Sequence, residues 1–156
     1  MNIKRVLDAN FNRASEGLRV LEDIARFCLE EKKLTLEIKR VRHDVRDVSK
    51  QIPQLISYRN PNSDVGVGED WEYRRDMKSL ILANSKRIQE ALRVIEENLK
   101  LLQKTELSKR ICIQRFKSYS LEKTMLEKIK SNPDYTLYLV FESKLCTVSP
   151  LRAVEE

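Results

Sequence analysis

The chain states one pattern twice. Residues 9–22 read A-N-F-N-R-A-S-E-G-L-R-V-L-E and residues 83–96 read A-N-S-K-R-I-Q-E-A-L-R-V-I-E, 74 positions apart. The frame shared by the copies is Ala9/Ala83, Asn10/Asn84, Arg13/Arg87, Glu16/Glu90, Leu18/Leu92, Arg19/Arg93, Val20/Val94 and Glu22/Glu96. Apolar matches alone report only two helices with similar core faces. Asn, Arg and Glu recur in register with them, which points to duplicated chemistry.

At about 100° per residue the apolar positions of each copy fall on one arc, so the spacing predicts amphipathic helices over 9–31 and 75–104. Each is followed by a second helical stretch, 34–52 and 107–130. Three Gly and four Pro leave little turn material for anything but long helices. The expected fold is all-α: a four-helix bundle of two repeated αα-hairpins related by a pseudo-twofold axis. Residues 53–71 hold two of the four Pro and two of the three Gly, so they form a long central loop. After residue 130 the composition changes, and T-L-Y-L-V-F at 136–141 reads as a strand. The chain therefore divides into a helical domain over 1–130 and a linker with a strand-like tail over 131–156.

Composition excludes several classes. With 41% hydrophobic and 35% charged residues among 156, the chain reads as soluble and globular. No signal peptide or membrane-spanning run is recognised in it. Cys28, Cys112 and Cys146 share no C-x-x-C spacing, so neither a disulfide framework nor a zinc site is suggested, and a reducing cytoplasm is the expected location. The net charge of +6 is spread along helices and interleaved with Glu, which suits a salt-bridged surface and a small anionic ligand better than nucleic acid. His43, the single histidine, sits among Arg42, Asp44 and Arg46 and reads as a surface residue. Neither the P-loop nor the G-x-G-x-x-G pattern occurs.

Asn10 and Arg13, with Asn84 and Arg87, fall inside or at the edge of the apolar arc. An inward guanidinium needs a partner, since an unpaired buried charge is costly. Two readings stay open. Arg13 and Arg87 pair with Glu22 and Glu96 in a clasp across the pseudo-dyad, or they face a cavity holding an anion whose hydrogen-bonding edge Asn10 and Asn84 read. Glu16 and Glu90 point away from the core with Arg19 and Arg93 and read as surface ion pairs. The central loop offers Arg59, Asn60, Asp64 and Gly66-Val67-Gly68, either as an exposed turn or as a lid that brings Arg59 to phosphates and Asp64 to a metal ion.

The segments L-D-A-N-F-N-R-A-S-E-G-L-R-V-L-E-D-I-A-R-F, K-R-V-R-H-D, Y-R-N-P-N-S-D-V-G, A-N-S-K-R-I-Q-E-A-L-R-V-I-E-E and R-F-K-S-Y-S-L-E-K occur in that order. Over about residues 4–130 they resemble the helical hydroxymethylpyrimidine-phosphate kinase domain found N-terminal to thiamine-phosphate synthase. The resemblance implies thiamine biosynthesis by ATP-dependent phosphorylation of the pyrimidine monophosphate to its diphosphate, with Mg²⁺ as cofactor. It implies Arg13, Arg59, Asp64 and Arg87 as catalytic residues, Asp64 as the metal ligand, and Asn10, Asn84, Glu22 and Glu96 as substrate-binding. The chain departs from the family pattern at Arg59-Asn60, where Arg-Asp is expected. The tail, L-Y-L-V-F-E-S-K-L-C then L-R-A-V-E-E, resembles the first strand and helix start of the synthase barrel. A barrel needs ~200 residues, so this chain is not expected to carry the coupling reaction. Two alternatives accompany this reading: a non-catalytic regulatory or assembly module, and another Arg-rich helical enzyme acting on a small dianion. The strand-like tail also suggests a homodimer or association with a synthase barrel.

Overall fold

The computed structural model describes residues 2–59 and 73–131. Four α-helices account for most of them: α1 Ile3–Asp23, α2 Lys32–Lys50, α3 Met77–Leu101 and α4 Thr105–Ser131. A π-helical turn, Ile24–Cys28, continues α1, and a 3-10 turn, Leu55–Tyr58, follows α2. No strand occurs among the described residues. The expected all-α bundle of two hairpins is what forms, while the expected strand at 136–141 and most of the central loop lie outside the described residues.

Helix starts follow their caps. α1 begins six residues before the repeat frame because Asn2 caps it, its Oδ1 accepting from the Arg5 N–H at 3.2 Å. α3 begins two residues later than expected, where Asp76 is extended and caps it. The Asp76 carboxylate accepts from the Ser79 N–H at 2.6 Å, and Ser79 Oγ accepts from the Asp76 N–H at 3.2 Å.

The helices form a four-sided bundle: α1 packs on α2 and α3, and α4 packs on α3 and α2. Leu7, Leu18, Ile38, Ile81, Ile88, Leu92, Ile95, Leu99 and Ile111 are fully buried in its core. Where α1 meets α3, one copy carries Ala14 and Gly17 and the other carries Ile88 and Ala91 at the matching positions. The small pair makes room for the large one. A Cβ at Gly17 would lie 2.8 Å from Ile88 Cγ1 and 3.3 Å from the Asn84 carbonyl oxygen.

The two hairpins differ by one residue. Asn10 and Asn84 are 74 positions apart, but Glu30 and Gln103, the left-handed residues that end each first helix with φ of 53° and 57°, are 73 apart. In the second turn the Lys104 N–H donates to the Leu99 carbonyl, five residues back; in the first, the Glu31 N–H donates to the Ala25 carbonyl, six back. The π-helical turn Ile24–Cys28 takes up that extra residue within the helix. Downstream the core positions fall into step at the shorter offset, with Leu34, Ile38, Val45 and Val48 answering half-buried Leu107 and buried Ile111, Ser118 and Leu121.

Replacing Gly17 with Ala raises helix propensity by about 1 kcal/mol. It also forces a methyl into Ile88, and overpacking of this kind costs about 1–3 kcal/mol. Gly17→Ala is therefore predicted to lower the urea midpoint, and adding Ile88→Val is predicted to restore part of it. A Gly17→Ala midpoint above that of the parent protein would refute the packing argument.

Candidate functional site

A cleft of about 680 Å³ runs between α1 and α3, so each hairpin supplies one wall. Asn10, Arg13 and Glu16 line it from α1, and Ala83, Lys86, Arg87, Glu90, Ala91 and Val94 from α3. Arg13 and Arg87 are exposed at its rim. Neither guanidinium has a hydrogen bond or ion pair among the described residues, whereas Lys86 lies 3.9 Å from Glu90. Three cations face two carboxylates. With both arginines unpaired, the cleft suits a small anion that two guanidiniums approach from opposite walls.

Asn10 and Asn84 are buried, as the repeat suggested, at 7% and 8% exposure. Each turns its Nδ2 back along its own helix, to the Val6 carbonyl at 2.8 Å and the Leu80 carbonyl at 2.9 Å. Asn10 lines the cleft, and the Asn84 backbone carbonyl stands against Gly17. Glu16 and Glu90, which the helical wheel assigned to outward surface pairs, also line the cleft. The groove between two crossing helices is wider than the buried arc of either one, so positions beyond the core edge still face it.

Glu22 and Glu96 are buried, yet they do not clasp Arg13 and Arg87. Each is paired with an arginine from the second helix of its own hairpin: Arg42 Nε donates to Glu22 Oε2 at 2.8 Å, and Arg115 Nε donates to Glu96 Oε2 at 3.0 Å. The other carboxylate oxygen of Glu22 accepts from Arg19 at 3.4 Å; that of Glu96 accepts from Arg93 at 3.2 Å and Lys100 at 3.0 Å. Burial by itself raises the Glu96 pKa, but hydrogen bonds from Lys100 and Arg115, with their charges, outweigh it and leave the carboxyl below its ordinary value. Arg42 and Arg115 were missed as partners because they correspond at 73 positions rather than 74.

Arg59 is anchored rather than free. Its Nε and Nη2 donate to Asp8 Oδ2 and Oδ1 at 2.9 and 3.0 Å, a bidentate pair with a carboxylate that is itself buried. The hydrogen bond to Asp8, then the Asp8 charge, holds the guanidinium yet more firmly protonated, and the Glu16 charge adds to this. The preceding 3-10 turn lies on α1, with Lys4 Nζ 5.1 Å from the Tyr58 ring centroid. Asp8 has no counterpart in the second copy, where the matching residue is Leu82, so the repeat gave no signal for it. Asn60, Asp64 and Gly66-Val67-Gly68 lie outside the described residues. His43 is exposed, and among the described residues no cluster of three or more His, Cys, Asp or Glu is arranged to hold a metal ion.

Residues 5–124 match the model of the ThiD2 family. Among curated proteins, the chain is similar to the thiamine-phosphate synthase of Nostoc punctiforme, 38% identical over 127 residues that cover 80% of this chain and 35% of that protein. It is 44% identical over 100 residues to that of Rhodopirellula baltica, covering 61% and 27%, and 37% identical over 155 residues to that of Synechocystis sp., covering 94% and 44%. The chain thus spans less than half the length of these relatives. No solved structure matches it.

These relatives correct the expected activity. They are named for thiamine-phosphate synthesis, a transfer reaction different from phosphorylation of hydroxymethylpyrimidine phosphate, and the kinase assignment is withdrawn. ATP and Mg²⁺ entered as requirements of that kinase, and no relative's name carries them. The physical reason for the error is simple: paired guanidiniums identify an anion without identifying the reaction performed on it.

The two buried pairs generate a stability prediction. Removing one member of a buried pair strands the other and costs about 3–5 kcal/mol. Among the described residues Arg42→Ala leaves Glu22 with Arg19, while Arg115→Ala leaves Glu96 with Lys100 and Arg93. Arg42→Ala is predicted to be the more damaging in urea unfolding; equal or reversed effects would refute the assignment. Because the folded-state pKa of Glu96 is lowered, its contribution is fully present above the ordinary value of 4.5 and is lost as pH falls through the lowered one. Glu96→Gln should therefore flatten the acid limb of the stability curve, measured as unfolding midpoint against pH.

Proposed function

The chain belongs to the ThiD2 family, the N-terminal domain of thiamine-phosphate synthase-like proteins, and from that membership we propose that it serves thiamine biosynthesis as the helical companion of a thiamine-phosphate synthase. In this reading the α1/α3 cleft binds a phosphorylated small molecule of that synthesis. The observation that carries it is the pair Arg13 and Arg87: equivalent positions of the two repeats, lining one cleft, neither with an ionic partner among the described residues.

The parts divide the work by chemistry. Two guanidiniums on opposite walls hold a phosphate by charge and by planar N–H donors. Lys86 adds a third cation at the α3 wall, and Glu16 and Glu90 offer acceptors to amino or hydroxyl groups on the rest of the ligand. Buried Asn10, fixed by its bond to the Val6 carbonyl, gives one rigid edge to the floor. Arg59 belongs to the frame: its pair with Asp8 ties the start of the central loop to α1 beside the cleft.

Calorimetric titration of the protein with thiamine phosphate and with unphosphorylated thiamine tests the reading. Thiamine phosphate is expected to bind at least tenfold more tightly than thiamine, and Arg13→Ala/Arg87→Ala is expected to abolish the difference without lowering the unfolding midpoint. Equal affinity for the two compounds, or a preference that survives the double substitution, would overturn it.

A further inference from the structure

The duplication supplies its own control for surface chemistry. At the 73-residue offset that relates Arg42 to Arg115, the outward positions Arg40, His43 and Arg46 of α2 correspond to Ile113, Phe116 and Tyr119 of α4. The α2 set is exposed and polar. The α4 set is equally outward, at 54%, 59% and 42% exposure, but is aliphatic and aromatic, its one polar atom, the Tyr119 hydroxyl, accepting from Arg115 Nη1 at 3.3 Å. Phe116 and Tyr119 meet edge to face, centroids 6.0 Å apart at 69°, and the Arg115 guanidinium carbon stands 4.8 Å from the Phe116 centroid. Single exposed apolar residues need no explanation, but three at successive turns of one helix form a strip. The bundle does not require it, since the same place on the same fold is filled by two arginines and a histidine.

We infer that this strip of α4 is the docking surface for the synthase portion of a thiamine-phosphate synthase, the part that the relatives carry beyond the stretch this chain matches. The inference rests on the proposed companionship with that synthase and adds where the two meet. Two observations select this occupant. The relatives are more than twice as long as the stretch matched by this chain, so a second body of protein accompanies the bundle in them. Flanking charge argues against a second copy: Arg110 and Lys117, three residues before and four after Ile113, have no ion-pair partner among the described residues. A twofold contact through the strip would bring four like charges together. An acidic rim around an apolar hollow on a different partner would neutralise them.

Photo-crosslinking decides the matter. Benzoylphenylalanine is placed at position 116, and separately at position 43, of the chain at its full natural length, produced together with thiamine-phosphate synthase. Position 116 is expected to give crosslinks mapping by mass spectrometry to the synthase portion, at least tenfold above position 43. Equal yields, no crosslinks, or crosslinks joining α4 to the α4 of a second copy would overturn the inference. Phe116→Asp provides the second arm: the thermal midpoint should stay in place while the crosslink from a probe at 113 falls at least tenfold. A large drop in midpoint would make the strip part of the bundle's own packing and would equally overturn it. A failed thiamine phosphate titration with positive crosslinks would remove the cleft reading alone; the converse result would remove only the docking surface.

Discussion

The close approach of α1 to α3 is the constraint on which the rest of the structure depends. It is possible because the two copies are not identical where they touch: Ala14 and Gly17 on one side receive Ile88 and Ala91 from the other. Were both copies large at these positions the helices would stand apart, and were both small a void would open beside the cleft. The cleft is a consequence of this crossing. Arg13 and Arg87 line one cleft because the helices that carry them meet beside it, at Gly17 and Ile88.

Each hairpin is then locked by an ion pair of its own. Glu22 with Arg42, and Glu96 with Arg115, fix the second helix against the first at matching places, each reinforced by an arginine one turn back. These are buried charges, so their net contribution to stability is small compared with the damage done by removing one member. Their effect is geometric: a helix that rotated about its axis would leave a carboxylate stranded in the interior. The cleft arginines are the opposite case, exposed and without an ionic partner among the described residues, so among these no bond has to break before a ligand is taken. One repeat motif supplies both kinds of charge, separated by about two and a half turns of helix.

Much of this was legible in the sequence. The apolar period gave the four helices, and the recurrent Arg13 and Arg87 come to line one cleft, while the recurrent Asn10 and Asn84 bond to the backbones of their own helices. Glu22 and Glu96 fall only at the edge of the apolar arc, so their full burial could not be read from it. Their partners were hidden: Arg42 matches Arg115 only after a one-residue shift that no single helix reveals. Asp8 and Arg59 meet across 51 positions with no echo in the other copy, and nothing in local pattern predicts such a pair. Glu16 and Glu90 are exposed, as the wheel has them, and Glu90 pairs with Lys86; that they also line the cleft was hidden because a wheel drawn for one helix does not include the wall supplied by another. The reaction was the furthest from view, since charge selects a ligand class and is silent about bond-making.

The π-helical turn carries a consequence for how this chain tolerates change at the level of its gene. A single extra codon between the first helix and the second has been absorbed as a local widening of the helix, and the left-handed residue Glu30 then ends it as Gln103 ends its counterpart. The same codon gained a few positions later, inside α2, would have no turn after it to correct the phase. It would swing every following side chain by about 100° and carry Arg42 away from Glu22. The segment from Ile24 to Glu31 is thus the place where the halves of this duplication were free to drift in length, and the helices on either side were held to count.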